Sequence, residues 1–372
     1  MNAQSQPIHC QRLGWSELAS RVDDWRKLAE NAATPNIFYH PDFALPAAEA
    51  LGVGNALQAI AAFTGEELVG LMPMRVRNRW GLPFPIVEAW THPNAPASLP
   101  LVARAQAEAA TIALFDAITA DRGLPGIVLL PTLLLDSPFA AALLSVRKPL
   151  YVHSGHQRAV AREPLSGDDY LAHAMSGSRR KKLRQQFAGL EAEGIVSVTA
   201  AASPHEASEA LDAFLALEVG GWKGEAGTAL ARDDTTLTLA RDVVQRLAEG
   251  GMARIFVMSL DGKPIASLIA FTEGTTAWLW KIAYDEAYAK HSPGKHLFMA
   301  AVRMLRDENP DMLIDSCAQP NHPLADLVLG EHMAMGDVVV SAGGRAGPAF
   351  RTANLLERLR GQARRLKHKL KG

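Results

Sequence analysis

The strongest constraint on the fold is a run of three apolar segments joined by short turns in the second half of the chain. Ala253–Leu260, Pro264–Thr272 and Thr275–Tyr284 each have the length and composition of a β-strand. Asp261-Gly262 and Glu273-Gly274 lie between them, and Asp-Gly is a strong hairpin signal. The pattern therefore predicts an antiparallel meander.

Helices and strands are predicted on both sides of this meander from hydrophobic periodicity. Before it lie a charged helix (Asp168–Glu193) closed by Gly194, a strand (Ile195–Ala200) and two helices (Pro204–Gly220 and Asp233–Ala248). After it lie a helix from Ser292, a strand (Met312–Asp315), a short helix (His322–Leu329) and a strand (Asp337–Ser341). The first half alternates in the same way, with a hairpin over Ala56–Val76. We expect an α/β (α+β) protein with mixed, mostly antiparallel sheets flanked by helices.

A chain of 372 residues is too long for one ordinary core, so more than one domain is expected. A polar, turn-forming stretch at Ala161–Asp168 suggests a boundary. The predicted division is an N-terminal half (1–165), a C-terminal domain (166–345) and a basic tail (346–372).

Composition excludes several classes of site. The 2 cysteines, Cys10 and Cys317, are far apart in sequence, so neither a disulfide framework nor a structural zinc site is expected. His153 and His156 lack the glutamate of a metal-binding helix, and no metal is predicted. A net charge of -1 gives no broad basic surface, so no nucleic-acid partner is expected.

No apolar run reaches the length of a membrane-spanning helix, about 18 residues. The tail beyond Arg351 is basic, and Leu355, Leu359, Ala363, Leu366 and Leu370 share one face of its predicted helix. Such a helix can lie on an anionic membrane surface, but a solvated basic tail explains the pattern equally well. We expect a cytoplasmic protein, with peripheral attachment to the inner membrane as a further expectation.

The segment from Trp280 to Leu297 carries the clearest functional signal. Ser292 suits a helix N-cap, Pro293 suits the first helical position, and Gly294 allows close approach to the backbone. N–H groups at Gly294, Lys295 and His296 would then face a ligand at the positive end of the helix dipole. That arrangement suits a phosphate or pyrophosphate, although an ordinary capped helix would begin in the same way.

Two further segments contain candidate site residues. Gly221-Trp-Lys-Gly follows a helix whose last turn carries Glu218, a candidate base. Asp315-Ser-Cys-Ala ends an apolar strand, a usual position for site residues in α/β folds. Asp315 and His322 are candidates for proton handling, whereas Cys317 is either a nucleophile or a structural thiol. The basic run from Arg179 to Arg184 can bind phosphate, but a solvated helix face is the commoner explanation.

Together these segments resemble the CelD-like, FemAB-related acetyltransferases of the GNAT superfamily. The resemblance rests on Gly221-Trp-Lys-Gly, on Trp280-Lys-Ile-Ala-Tyr-Asp followed by Ser292-Pro-Gly, and on Asp315-Ser-Cys-Ala. It covers about Asp168 to Ala342 well and the first half only loosely. The family implies tandem GNAT-like domains and direct acyl transfer from a thioester to an amine, without a covalent enzyme intermediate.

The resemblance also assigns candidate residues. The residues expected to bind the donor phosphates are Ser292, Gly294, Lys295 and His296. Those expected to handle the proton are Glu218, Asp315 and His322. Those expected to line the acceptor or acyl pocket are Trp222, Lys223, Lys281, Tyr284 and Asp285. The co-substrate implied is acyl-CoA or acetyl-CoA, with no metal.

The stretch from His291 to His296 keeps only the central glycine of the usual pyrophosphate signature. The acyl donor therefore stays open among CoA, acyl carrier protein and aminoacyl-tRNA. Two alternative functions also stay open: a FemAB-like aminoacyl-tRNA-dependent transferase in cell-envelope synthesis, and a non-catalytic partner in envelope or polysaccharide assembly.

Overall fold

The computed structural model describes residues 7–147, 149–221, 227 and 229–369, with side chains as far as residue 363. The strands are β1 (Ile8–Gly14), β2 (Gln58–Thr64), β3 (Glu67–Asn78), β4 (Pro85–Ala89), β5 (Leu101–Val102), β6 (Ile127–Leu134), β7 (Leu150–Ala161), β8 (Val196–Ala201), β9 (Ala253–Leu260), β10 (Lys263–Glu273), β11 (Thr276–Tyr284), β12 (Leu313–Asp315) and β13 (Glu331–Ser341). The helices are α1 (Trp15–Ala19), α2 (Val22–Glu30), α3 (Pro41–Ala50), α4 (Ala107–Ala120), α5 (Pro138–Val146), α6 (Gly167–Ala174), α7 (Gly177–Glu191), α8 (Pro204–Gly220), α9 (Asp234–Glu249), α10 (Pro293–Glu308), α11 (Ala325–Val328) and α12 (Pro348–Lys369).

Contacts divide the chain into two units, each made of segments that are separate in sequence. Unit 1 comprises Met1–Ala44, Gly52–His156 and Met333–Gly372, and unit 2 comprises Leu45–Leu51 and Gln157–His332. The same order of elements occurs in both: a strand, two helices, a meander, a helix, a strand and a helix.

In unit 1 the strands lie in the order β1-β2-β3-β4-β6-β13, with β5 beside β3. All of these pairs are antiparallel except β4 with β6. The core lies between this sheet and helices α4 and α5, around Met72, Leu114, Phe115 and Phe139.

In unit 2 the order is β8-β9-β10-β11-β12-β7; β11 pairs with β12 in parallel, and the other four of these pairs are antiparallel. On one face of the sheet, Leu268 and Ala270 share a core with residues of α6, α7 and α10. The intervening Ile269 points to the opposite face, as alternation along a strand requires, and α8 packs against β10. The predicted class, mixed and mostly antiparallel sheets flanked by helices, is confirmed.

Local predictions are confirmed best where turn and cap residues are strong. Helix α8 begins at Pro204 and ends at Gly220 as expected. Its start is fixed by Ser203 and Glu206, which form a capping box. The helix predicted over Asp168–Glu193 is instead two helices, since Ser176 accepts the Arg179 N–H at 3.4 Å and starts α7 afresh.

Gly194 is not the C-cap of α7, which is Ala192. A side chain at Gly194 would collide with the Asp261 carboxylate, and that carboxylate accepts the Ile195 N–H at 2.8 Å. The glycine therefore allows the start of β8 to approach the β9–β10 turn.

The basic tail begins as a helix that is part of unit 1. Phe350 and Ala353 of α12 are buried in a small core with Ile86, Leu129 and Val339. Leu355 and Leu359 lie on another face and are 56% and 51% exposed. The side chain of Leu366 and the whole of Leu370 lie outside the described residues. Within the described part of the chain, no helix is both long and apolar enough to cross a bilayer.

Candidate functional site

Strands β11 and β12 separate soon after they pair. Their parallel register runs only from Thr276 opposite Leu313 to Trp278 opposite Asp315, where β12 ends. Strand β11 continues to Tyr284. An edge of β11 from Leu279 onward is thus left uncovered by β12, on the side of unit 2 where α10 begins.

A β-bulge interrupts β11 on this same stretch. Leu279 lies opposite Ala270, but Lys281 lies opposite Ile269, so Trp280 is the extra residue. Bulges redirect side chains and are common beside functional sites. The Trp280 ring packs on Phe271 at 5.1 Å, and the Lys281 Nζ lies 5.5 Å from the Trp280 ring. Lys281, a predicted pocket residue, therefore lies beside the bulge and is half-buried.

Ser292 caps α10 with its backbone. It adopts a left-handed conformation (φ 55°, ψ 50°), and its carbonyl accepts the N–H groups of Lys295 at 3.0 Å and His296 at 3.3 Å. The expectation that these two N–H groups are free for a ligand is therefore wrong, because the cap uses them. The Ser292 hydroxyl makes no cap hydrogen bond and instead accepts Gln186 Nε2 at 3.1 Å.

Helix α7 holds the turn before this cap, a 3-10 segment at Glu286–His291. One oxygen of Glu193 contacts Lys290 Nζ at 2.8 Å and His291 Nε2 at 2.7 Å. The hydrogen bonds from Lys290 and then His291 hold the pKa of Glu193 below its ordinary value. A Cβ at Gly189 would lie 2.8 Å from the His291 ring, so α7 requires a glycine there to approach the turn.

The missing side chain at Gly294 leaves space that the ring of Tyr284 fills. A Cβ at Gly294 would lie 3.1 Å from Cδ1 of Tyr284, a half-buried residue at the end of β11. Gly221, where the glycine-rich loop starts, would bring a Cβ to 3.7 Å from the Tyr284 carbonyl. The loop, the end of β11 and the start of α10 therefore converge. Trp222 and Lys223 lie outside the described residues.

Lys295 and His296 differ in surroundings. Lys295 is half-buried in the first turn of α10, whereas His296 is only 7% exposed. Burial, partly offset by a hydrogen bond with the His291 backbone and reinforced by the charges of Lys295 and His291, lowers the pKa of His296 to about 4. The ring packs against Phe187 at 5.1 Å, and its Nε2 is buried without a hydrogen-bond partner among the residues that the structure describes.

Asp315 is held in a buried ion pair. Its carboxylate contacts Arg158 Nη1 at 3.2 Å and accepts the Cys317 N–H at 2.8 Å. Cys317 has φ 53°, and burial, followed by the Asp315 charge, raises the pKa of its thiol well above the ordinary value. The structural thiol is therefore the interpretation that the geometry favours.

The other predicted site residues support loops and turns. Glu218 is buried, and its carboxylate accepts the Leu230 N–H at 2.7 Å, closing the far end of the glycine-rich loop. Asp285 accepts the Ala287 N–H at 3.0 Å and contacts Lys263 Nζ at 3.3 Å. His322 Nδ1 accepts the Ala325 N–H at 3.3 Å at the start of α11. Their roles in substrate binding or proton transfer stay predictions.

Sequence reasoning missed a cavity between α6, α7 and α10 of unit 2, with a volume of about 660 Å³. Its interior is apolar and its mouth is charged. The lining comprises Asp168, Asp169, Leu171, Ala172, Met175, Arg180, Leu183, Arg184, Phe187, Val198, Met258, His296, Met299, Ala300, Arg303 and Met304. The alternation of Arg180, Leu183, Arg184 and Phe187 along α7 was the available signal, because a fully solvated face would lack its apolar residues.

No group of three or more potential metal ligands (His, Cys, Asp or Glu) occurs among the residues that the structure describes.

The comparison with protein-family models bears on unit 2. Residues 177–317 match the family model described as an acetyltransferase (GNAT) domain. No curated protein matches the chain. The segment matched runs from the start of α7 to Cys317, and it contains the β11 edge, the α10 cap and the end of β12.

Solved structures match over most of the chain. FemX is 12% identical with a TM-score of 0.57, covering 86% of this chain and 95% of that one. The C-terminal domain of a proposed lysylphosphatidylglycerol synthetase from Agrobacterium fabrum is 11% identical with a TM-score of 0.55, covering 92% and 96%. L-PGS from Bacillus licheniformis is 12% identical with a TM-score of 0.50, covering 89% and 98%. At these identities the likeness shows a shared fold.

Proposed function

We propose that this chain, an acyltransferase with a GNAT acetyltransferase domain over residues 177–317, moves an acyl group from an acyl-CoA-type thioester to an amine. The amine nitrogen attacks the thioester carbonyl directly. A carbon–nitrogen bond forms, the carbon–sulfur bond breaks, the amine loses a proton to a base and the departing thiolate takes one up. Holding both reactants in line supplies much of the rate enhancement.

The observation that carries the proposal is the meeting of the uncovered β11 edge with the first turn of α10. The edge from Leu279 to Tyr284 can accept an extended ligand, and the helix start favours negative charge. Since the cap uses the N–H groups of Lys295 and His296, we assign the donor phosphates chiefly to the Lys295 side chain and the helix dipole. The Ser292 backbone shapes the turn rather than contacting the ligand.

We position the acyl group by the bulge at Trp280. It alters the regular β11 backbone partway along the uncovered edge, next to Lys281. We place the thioester carbonyl beside this stretch, where backbone dipoles of a preorganised strand can stabilise the developing oxyanion.

The amine must lose a proton as it attacks, and three predicted residues are candidates to accept it. Asp315 and Glu218 already hold an ion pair and a backbone N–H, so neither is an unoccupied base. His322 caps α11 through Nδ1. His322 is half-buried, whereas Asp315 and Glu218 are both only 3% exposed, so an incoming amine can reach the imidazole more readily. We therefore favour His322 over the two carboxylates, and we expect its Ala variant to lower kcat while CoA binding persists.

Thermal unfolding with CoA, acetyl-CoA and a long-chain acyl-CoA tests the donor site directly. A ligand at a hundredfold excess over its Kd stabilises the fold by about 2.7 kcal/mol. Lys295→Glu should abolish the shift by repelling the phosphates. The matched control is Arg246→Glu, a charge reversal at an exposed residue of α9 in the same unit. A shift of equal size in both variants, or no shift with any thioester, would overturn the proposal.

A FemAB-like, aminoacyl-tRNA-dependent transfer is the second candidate, favoured by the basic surface of α7. Arg179, Lys181, Lys182 and Arg184 are exposed on this helix, which also contacts the α10 cap. Charged aminoacyl-tRNA should then support transfer, and RNase should stop it. Replacing Lys181 and Lys182 with Gln would weaken such binding and leave thioester binding unchanged.

We further propose that the protein is cytoplasmic and attaches peripherally to an anionic membrane surface through α12. Leu355 and Leu359 are exposed on this helix, and Arg351 and Arg358 are exposed near them. Deleting the tail from Arg351 would also remove the buried Ala353 and Glu357, so point variants are preferable.

Flotation with vesicles containing phosphatidylglycerol provides the test. Replacing Leu355 and Leu359 together with Ser should release the protein from the vesicles. Leu144→Ser, at an exposed leucine of α5, is the matched control. Vesicle binding by the double variant at the wild-type level would contradict attachment through this face.

A further inference from the structure

The cavity between α6, α7 and α10 has an interior suited to a flexible apolar chain. Its wall includes Met175 and Met258, which are buried, and Met299 and Met304, which are half-buried. Methionine side chains are unbranched and polarizable, so they adapt to ligands of varied shape. The volume of about 660 Å³ lies within the range of small-molecule sites.

The mouth of the cavity carries an uncompensated positive charge. Arg303 is paired with Asp168, with Nε 2.7 Å from the carboxylate. Asp169 accepts the Ser166 hydroxyl at 2.7 Å. Arg180 and Arg184 also line the cavity, and Arg180 Nε is buried without a hydrogen-bond partner among the described residues. An orphaned guanidinium N–H of this kind costs free energy unless a ligand accepts from it.

His296 adds a second unpartnered group to the wall. The side chain is 7% exposed, and its Nε2 is buried without a hydrogen-bond partner in the described part of the chain. A neutral imidazole whose other nitrogen binds the backbone presents a lone pair at Nε2. The cavity therefore offers, in addition to its apolar wall, a guanidinium N–H that donates and an imidazole nitrogen that accepts.

We propose that this cavity binds a long acyl chain that carries an anionic head group. The chain lies among the methionines, and the anionic oxygens accept hydrogen bonds from Arg180 and Arg184. In an acyl-CoA, an amide N–H of the pantetheine arm can in addition donate to Nε2 of His296, whereas an ionised fatty acid has no donor for it. This site needs neither the β11 edge nor any transferase activity. A free fatty acid and a long-chain acyl-CoA share the required chemistry.

Calorimetric titration of the full chain with palmitate tests the site. We expect palmitate to bind and butyrate, which has the same head without the chain, not to bind measurably. Met299→Trp should fill the cavity, and Arg180→Gln should remove the contact with the head group. Each should weaken palmitate binding at least tenfold. The matched controls are Met252→Trp, at a half-buried methionine outside the cavity, and Lys182→Gln, at an exposed residue of α7.

Palmitoyl-CoA identifies the source of the chain. If the chain of the acyl donor occupies the cavity, palmitoyl-CoA displaces palmitate, and Lys295→Glu weakens palmitoyl-CoA but leaves palmitate binding intact. If a free fatty acid is the ligand, palmitate alone responds to Arg180→Gln. No palmitate binding, or equal binding by Met299→Trp and Met252→Trp, would overturn the proposal. Either outcome would leave the thermal-unfolding test with CoA and its thioesters unaffected.

Discussion

The carboxylate of Glu357 on α12 accepts hydrogen bonds from Arg79 at 2.9 Å and 3.0 Å and another from Trp80 Nε1 at 3.0 Å, and it is almost fully buried. Removing one partner of a buried ion pair is strongly destabilising. We expect Glu357→Gln to lower the free energy of unfolding by about 3 kcal/mol, measured by urea denaturation. Arg358→Gln, at the exposed neighbouring residue, should change it by less than about 0.5 kcal/mol.

The same carboxylate should make stability depend on acid pH. Burial raises the pKa of Glu357, but the hydrogen bond and charge of Arg79 outweigh burial and hold the pKa below its ordinary value. The stabilisation is therefore complete above the unfolded-state pKa, about 4.3, and is lost as pH falls through the folded-state pKa. The difference in unfolding free energy between wild type and Glu357→Gln should shrink from pH 6 to pH 3. A constant difference would contradict this linkage.

His296 should add a separate dependence at higher pH. Its pKa of about 4 in the fold lies below the ordinary value of 6.5, so the unfolded chain binds the proton first. The part of the unfolding free energy that depends on neutral His296 is fully present above pH 6.5 and falls as the pH drops toward 4. At pH 5 the loss relative to pH 7.5 should be about 2 kcal/mol, and His296→Gln should not show it. His205→Gln, at an exposed histidine of α8, should behave like the wild type.

Asp315 should prove more important for stability than for proton transfer. Asp315→Asn removes the carboxylate from the buried Arg158 guanidinium, and we expect a loss of about 3 kcal/mol. The double replacement Arg158→Met with Asp315→Leu should recover most of it. A double-mutant cycle in denaturant, made of Arg158→Met, Asp315→Leu and the two combined, measures the coupling. If Asp315→Asn is stable but lacks turnover, Asp315 is the base after all.

The left-handed backbone at Ser292 gives a paired test of the cap. Glycine adopts φ 55° without strain, so Ser292→Gly should offset the lost Gln186 hydrogen bond and leave stability almost unchanged. Valine is β-branched and strongly disfavoured there, so Ser292→Val should cost about 2 kcal/mol and weaken CoA binding. Thermal unfolding and CoA titration measure the two effects. Equal behaviour of both variants would mean that the cap conformation is unimportant.

Prediction from sequence succeeded where a few neighbouring residues determine the structure. The Asp261-Gly262 turn and the capping box of Ser203 and Glu206 are local signals, and the meander and α8 follow from them. The predicted helix over Asp168–Glu193 failed because the backbone at Met175 is extended and Ser176 caps a second helix, a start signal that the prediction passed over. The predicted domain boundaries stay predictions.

The candidate site was predictable only in outline. Helix-capping preferences predict that α10 starts at Ser292-Pro-Gly. The Ser292 carbonyl accepts the Lys295 N–H, however, and this bond depends on a left-handed φ at Ser292 that the sequence does not predict. His296 was assigned to phosphate binding from its position, although its ring lies in a cavity wall. That wall combines residues from three helices and two strands, and no spacing along the chain shows that they meet.

The order of strands in the two units has a consequence for biosynthesis. In unit 1, β13 pairs with β6, and in unit 2, β7 pairs with β12. A ribosome therefore releases every strand of unit 2 before unit 1 receives its last one. Until then the edge of β6 stays open in the nascent chain, exposing unpaired backbone to wrong partners. Chaperone dependence should accordingly concentrate on the early-made part of the molecule.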